Sequence, residues 1–412
     1  RNFFTRFISR YLSIFCNILI FFFLVQLDEQ DLAIFFLIRA GINFFSFFYK
    51  PIISGQYFYK KLSNLGFSSD FEKAVLNHLA TIAIMTFCIS IAFSIMFSLY
   101  VKFNPLYSLS YIEIFFIAIW FIFFISISPF QHIFQILKKD TYSGLSTGFL
   151  ANLLILLILV GAYSLSSINL KSILMAYSLG YVLCFVCLCS VLLLSFKNKI
   201  TFQLNFYYFK NKDIYSEGLI GTFSSILPII LLISGYIFDY ETVTIIGMTF
   251  FVYGFVQQVP MAFLNSTRKK WLDYKDVSTY LNLKISTTKI ISFLYIFFSL
   301  GFLILLLIFS NLDILKDFKN YTIFMTALIC VQLLIIGNLL RNFFFGSLRI
   351  AAILKGGADY ILRWSLISFM LVIFLYVPAT MVLNFYAAFV MVILQACIVS
   401  IASSKFLEKL NV

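Results

Sequence analysis

The sequence predicts an all-α membrane protein of twelve transmembrane helices, arranged as two six-helix bundles that repeat one another. Three observations predict it. The 412 residues are 62% hydrophobic and 11% charged, whereas soluble domains are about 45–50% apolar and about 25% charged. Apolar runs near the ~20 residues that a bilayer-spanning helix needs recur along the whole chain. The 30 Lys and Arg are also unevenly placed. With the N-terminus taken as cytoplasmic, 21 of them fall in segments on the inner side of the runs and only four, Lys102, Lys171, Lys316 and Lys319, on the outer side. That bias sets membrane orientation and requires an even number of spans.

The runs fall near residues 7–27, 32–56, 75–100, 112–137, 145–166, 172–196, 216–238, 242–266, 287–310, 321–347, 359–377 and 383–404. The first is long and has no small-residue cleavage site, so it is expected to stay as a span rather than be removed as a leader. Both termini are then expected in the cytoplasm. The basic segment 197–215 splits the runs six and six, giving expected bundles at 1–200 and 201–412. A short acidic turn joins the first two helices of each half, LDEQD in one and FDYET in the other. Arg6, Arg10, Ser13, Asn17 and Asp28 match Glu217, Gly221, Ser224, Pro228 and Asp239 at a constant offset. Internal repeats of this kind build many secondary transporters.

The net charge of +13 does not point to nucleic acid, because the basic residues are spread thinly through short loops. Cys184, Cys187 and Cys189 have no His or carboxylate near them in sequence, which favours an inert helix face over a metal or redox site. No metal, cofactor or catalytic residue is expected. No constellation with acid, base and nucleophile roles is present, and the loops are too short to carry one.

The informative charges are those inside the runs: Arg10, Arg39, Lys50, Arg341 and Arg363. A cation at mid-bilayer costs about 2.5–3.5 kcal/mol on insertion scales and usually faces a polar interior. At 100° per residue, Arg39, Asn43, Ser46 and Lys50 lie at roughly 0, 40, −20 and 20°, one narrow stripe. Arg39 sits about two turns inside the run, about 10 Å deep. Similar stripes hold Arg10 and Asn17 in the first run, His132 and Gln135 with Gln131 beside them in the fourth, Tyr253 and Gln257 in the eighth, and Asn338 and Arg341 in the tenth. Pro129 can bend the fourth helix. Several helices with one wet face each describe a bundle around a hydrated cavity. Arg6, Lys139, Arg349 and Arg363 lie near predicted inner ends, where snorkelling to the interface is the favoured reading. For Lys50 and Arg341, cavity-facing and snorkelling placements both stand. The 17 Asp and Glu all lie in loops or at run ends. The interior is therefore cationic without matching carboxylates, which suits a negatively charged passenger, and phosphate is the natural match for Arg.

Two hairpin segments, DLAIFFLIRAGINFF and ETVTIIGMTFFVYGFVQQVP, resemble the first and second helices of each half in O-antigen flippases. These are the polysaccharide transporters of the multidrug/oligosaccharidyl-lipid/polysaccharide exporter superfamily. FLNSTRKKWLDYKDVSTYLNLKI is similar to their basic inner loop before the ninth helix, and GSLRIAAILKGGADYILRWSLISFMLVIFLYVP to the superfamily's turn from tenth to eleventh helix. The resemblance implies a V-shaped exporter fold whose halves, related by a pseudo-two-fold repeat, rock between inward- and outward-open states. It implies transport of a polyprenyl-pyrophosphate-linked oligosaccharide across the bacterial inner membrane, from the cytoplasmic to the periplasmic leaflet. Arg39, Lys50 and Arg10 are the residues it would place at the pyrophosphate. Its implied partners are the lipid-linked oligosaccharide, membrane lipid, and a glycan polymerase and glycosyltransferases in functional association; the residues specify no coupling ion. Two other readings remain: a multidrug or organic-cation antiporter of the same fold, and a membrane-embedded glycan polymerase. The drug-exporting branch typically carries an acidic residue in the first helix, where this chain has Ser13, Cys16 and Asn17.

Overall fold

The computed structural model describes residues 2–54, 69–103, 108–130, 133–134, 137, 141–142, 145–165, 168–195, 219–220, 223, 226–273, 276–311 and 320–410. Among them every regular element is helical. The chain divides into two compact units, Arg1–Gly218 and Leu219–Val412. The expected division at 200/201 falls outside the described residues.

Unit 1 contains α1 (Asn2–Leu24), α2 (Glu29–Ser54), α3 (Ser69–Phe103), α4 (Tyr111–Ser126), α5 (Leu150–Leu165) and α6 (Leu170–Leu193). On α1, Ser9, Ser13, Cys16, Ile20 and Leu24 are buried, whereas Tyr11, Phe15, Ile18 and Phe22 are exposed. The spacing of three and four residues turns one stripe inward and leaves an apolar stripe outward, as lipid contact requires. Leu32 to Ile38 on α2 are all buried, so this helix runs through the middle of the unit. Ser110 and Glu113 form a capping box that starts α4, and Asn169 with Ser172 does the same for α6. The fourth run expected at 112–137 is broken: α4 ends at Ser126, residues 127–129 form a turn, and helical bonding resumes with Ile133 N–H donating to the Pro129 carbonyl at 3.1 Å. Proline has no N–H to continue the ladder, which accounts for the break. A π-helical turn at Leu145–Phe149 leads into α5.

Unit 2 contains α7 (Leu227–Ile237), α8 (Tyr240–Ser266), α9 (Val277–Asn311), α10 (Tyr321–Phe345), α11 (Ala358–Leu383) and α12 (Ala387–Leu410). Two short helices, Arg268–Asp273 and Arg349–Ala352, lie between them. In unit 1, α3 packs on α4, α4 on α6, and α5 on α6; six helices later, α9 packs on α10, α10 on α12, and α11 on α12. The internal repeat is thus visible in the packing order. The helix expected from 287 begins ten residues earlier, at Val277, because Asp276 caps it and the polar residues that follow still suit a helix. The helix expected to end at 377 continues through Pro378 to Leu383 and turns at Asn384, whose φ of 52° suits asparagine.

Among the described residues, five helical runs are long and apolar enough to cross a membrane by length and composition: Leu170–Leu193, Tyr240–Met261, Val277–Asn311, Tyr321–Phe345 and Arg349–Leu410. The last holds both α11 and α12. One end of unit 2 is sealed by a buried cluster of Trp271, Tyr280, Leu348, Ala351, Ile361 and Leu407. Cys184 is buried, Cys189 half-buried and Cys187 exposed, so the three cysteines of α6 do not share the inert inner face expected for them.

Candidate functional site

Each unit holds an arginine within its helices, and each arginine lies among tyrosines. In unit 1, Arg39 on α2 is half-buried and lies close enough to Tyr177 and Tyr181 of α6 to interact with both electrostatically. Those tyrosines are four residues apart, one turn of α6, so they line the same face. Around them Trp120 and Tyr177 pack at 4.5 Å between ring centroids, Phe35 and Tyr177 at 5.4 Å. Asn43 is half-buried, and its carbonyl accepts from the Ser46 hydroxyl at 2.8 Å. Asn17 donates to the Ser13 carbonyl at 3.0 Å, while Asn152 of α5 donates to the Ser13 hydroxyl at 2.8 Å. The side chains of Arg10 and Lys50, and residues Gln131, His132 and Gln135, lie outside the described residues.

In unit 2 the structure joins two of the expected residues directly and brings a third, Arg341, close to them. Gln257 donates through Nε2 to the Tyr253 hydroxyl at 2.9 Å. The Tyr295 hydroxyl, from α9, lies close enough to Tyr253 and Arg341 to interact with both. Arg341 also donates through Nη2 to Ser347 Oγ at 3.2 Å and through Nη1 to Ser400 Oγ at 3.4 Å. Its Nε is buried and has no hydrogen-bond partner among the described residues. Tyr253 is fully buried, which puts this stripe in the core of unit 2. Asn338, one turn before Arg341, is buried and donates to the Leu334 carbonyl at 3.0 Å.

Every partner of Arg341 among the described residues is a neutral hydroxyl. The described carboxylates of unit 2, Asp239, Glu241, Asp273, Asp276, Asp359 and Glu408, are all exposed. Glu408 pairs instead with Lys284 at 2.9 Å, at the end of the unit that carries the chain's C-terminus. A cation surrounded by hydroxyls, with the described acids of its unit at the surface, presents donors of the kind that an anion would pair with.

Tyr177, Tyr181, Tyr295, Ser347 and Ser400 were not singled out by sequence. The one-turn pairing of Tyr177 with Tyr181 was a readable signal. Tyr295, Ser347 and Ser400 reach Arg341 from separate segments, which only the packing brings together.

No family model matches the chain, and no curated protein sequence matches it. Solved structures do. An inward-facing multidrug resistance MATE family transporter of the MOP superfamily aligns with a TM-score of 0.64 at 10% identity, covering 100% of this chain and 98% of that one. A MATE protein in complex with MaL6 aligns at 0.61 and 12% identity, covering 100% and 96%. A MOP superfamily transporter from Pyrococcus furiosus, described as having a binding pocket of reverse polarity and a suggested different function, aligns at 0.58 and 12%, covering 99% and 94%. At such identity the likeness establishes the fold, which is that of MOP-superfamily transporters.

Proposed function

We propose that this chain is a multi-pass transporter of the bacterial inner membrane that carries an anionic lipid-linked oligosaccharide, joined through pyrophosphate, from the cytoplasmic to the periplasmic leaflet. The observation that carries this reading is Arg341: a half-buried guanidinium whose partners among the described residues are all neutral hydroxyls, in a unit whose described carboxylates are all exposed. Removing a cation from water without a counter-charge costs several kcal/mol, and an anionic passenger would supply that counter-charge. Guanidinium suits that role because its fixed fork of donors matches phosphate oxygens. In alternating access, the cations meet the headgroup on one side of the membrane, and its binding removes their mutual repulsion and favours closure. Both termini are on the cytoplasmic side in this reading, following the bias of Lys and Arg.

The names of the similar structures favour a second reading, a multidrug antiporter. A cationic drug would require a carboxylate at the interior site. On α1 the corresponding surface offers Ser13 and Asn17, already bonded to one another and to Asn152. Expression in a strain lacking its O-antigen flippase separates the readings. Restored surface glycan, lost again with Arg341→Ala, supports the first. Raised resistance to cationic drugs with no glycan restored supports the second.

A further inference from the structure

We propose that Arg341 and Arg349 together form a phosphate-binding site within unit 2. This deepens the transport reading by naming a second point of contact for the passenger's phosphate, yet it stands on geometry that can be tested without transport.

The two arginines are eight residues apart and separated by a built turn. α10 ends at Gly346, whose φ of 69° reverses the chain. A side chain there would be strained in backbone and would crowd Leu348 Cγ at 3.3 Å and Thr288 Oγ1 at 3.4 Å. The turn is then fixed by side chains. Ser347 Oγ donates to Asn342 Oδ1 at 2.8 Å, and Asn342 Nδ2 donates to the Thr288 carbonyl and Ser292 Oγ, each at 3.0 Å. Leu348, Ala351 and Ala352, on either side of Arg349, are buried in the core cluster with Trp271. Arg349 is thus carried on a fixed segment, not on a free loop.

This turn brings two positive charges together. Arg341 donates to Ser347 Oγ at 3.2 Å, two residues before Arg349, so the turn sets both arginines on one short, fixed segment, and the charge of Arg341 acts on Arg349. Arg349 is half-buried and has no hydrogen-bond or ion-pair partner among the described residues. Arg341 leaves Nε unbonded. Two arginines on one fixed turn, with spare donors and no described carboxylate between them, repel each other, and a bridging anion would remove that repulsion. A phosphate or pyrophosphate group, with several oxygens spread around each phosphorus, can accept from both forks at once.

The phosphate could belong to a lipid headgroup or be free in solution, and the test distinguishes the two. The purified full chain in neutral detergent is titrated with inorganic pyrophosphate, and separately with micelles containing lysophosphatidic acid, while its thermal unfolding midpoint is followed. The midpoint should rise in at least one titration: with pyrophosphate for a water-accessible phosphate site, with the lipid alone for a headgroup site. Arg349→Gln should weaken the effect about tenfold or more, since a charged hydrogen bond contributes about that much. Arg349→Lys should restore part of it. Without ligand, Arg349→Gln should be at least as stable as the wild type, because one of two repelling charges is gone; a merely structural arginine would show the opposite. Lys289→Gln, an exposed control, should bind as the wild type. No shift with either probe, or unchanged binding in Arg349→Gln, overturns the proposal. If that happens while glycan export still depends on Arg341, the transport reading survives alone. Binding without any glycan export would leave the site standing and remove the passenger.

Discussion

The Gln395 side chain, on α12, donates through Nε2 to the Phe223 carbonyl at 2.6 Å. Its Oε1 accepts from the Ile226 N–H at 3.1 Å, so one amide serves a peptide donor and a peptide acceptor at the start of α7. Pro228 sits in the first turn of α7, where its missing N–H is tolerated, and Gln395 supplies a partner to each of these two peptide groups.

Gln395→Met should therefore strand one buried and one part-buried peptide group at a cost on the order of 2–6 kcal/mol, each unsatisfied group contributing roughly 1–3. Thermal unfolding should register the loss, and hydrogen exchange should rise at the Ile226 amide more than along α10.

Two glycines let helices approach closely, and they should respond differently to rescue. A Cβ on Gly337 would overlap the side chain of Ile393 alone, so Gly337→Ala should be much less harmful in an Ile393→Ala background. A Cβ on Gly180 would also meet the Ile155 backbone nitrogen at 3.1 Å, so Ile155→Ala should rescue Gly180→Ala only in part. Each single substitution should cost about 1–3 kcal/mol by overpacking, and a double-mutant cycle on thermal stability reads the coupling.

Asp276 caps α9 and gives a pH-dependent signal. It accepts from the Thr279 N–H at 2.7 Å, the Ser278 hydroxyl at 2.7 Å and the Thr279 hydroxyl at 2.9 Å. These bonds, the Thr279 N–H first, hold its carboxyl below the usual carboxylate range. A lowered folded-state value adds stability above the unfolded value, about 3.9, and that stability is lost as pH falls through the folded-state value. The wild type should be more stable than Asp276→Ala at pH 7, and the gap in unfolding midpoint should close below about pH 4.

Arg39→Ala should reduce glycan export in cells while Arg39→Lys keeps part of it, because the charge remains but the fork is lost. Tyr177→Phe, which keeps the ring packed on Trp120, should leave protein level unchanged, so that any fall in export reports on the hydroxyl beside Arg39. Wild-type export in Arg39→Ala would remove that residue from the site.

Helical periodicity was enough to read the stripe of Tyr253 and Gln257, which bond to one another at 2.9 Å, whereas the bend allowed for at Pro129 is in fact a break in the helix. The short acidic turns marked the starts of α2 and α8, where Asp239 accepts from the Thr242 N–H at 3.0 Å. Periodicity within one helix could not show which unit's core a stripe would enter, nor that Tyr295 and Ser400 would meet Arg341 from α9 and α12. Those contacts depend on how helices pack, a property no single run encodes. Likewise, Lys284 and Lys289 read as loop charges, whereas both lie on α9, where a long side chain can reach the interface from a helix.

The most direct test is translocation in proteoliposomes containing only this chain, offered either a pyrophosphate-linked lipid oligosaccharide or a fluorescent organic cation. A cation-lined interior predicts movement of the anionic lipid, loss of that movement with Arg341→Ala, and no extrusion of the dye. Extrusion of the dye with the oligosaccharide left in its starting leaflet would contradict it.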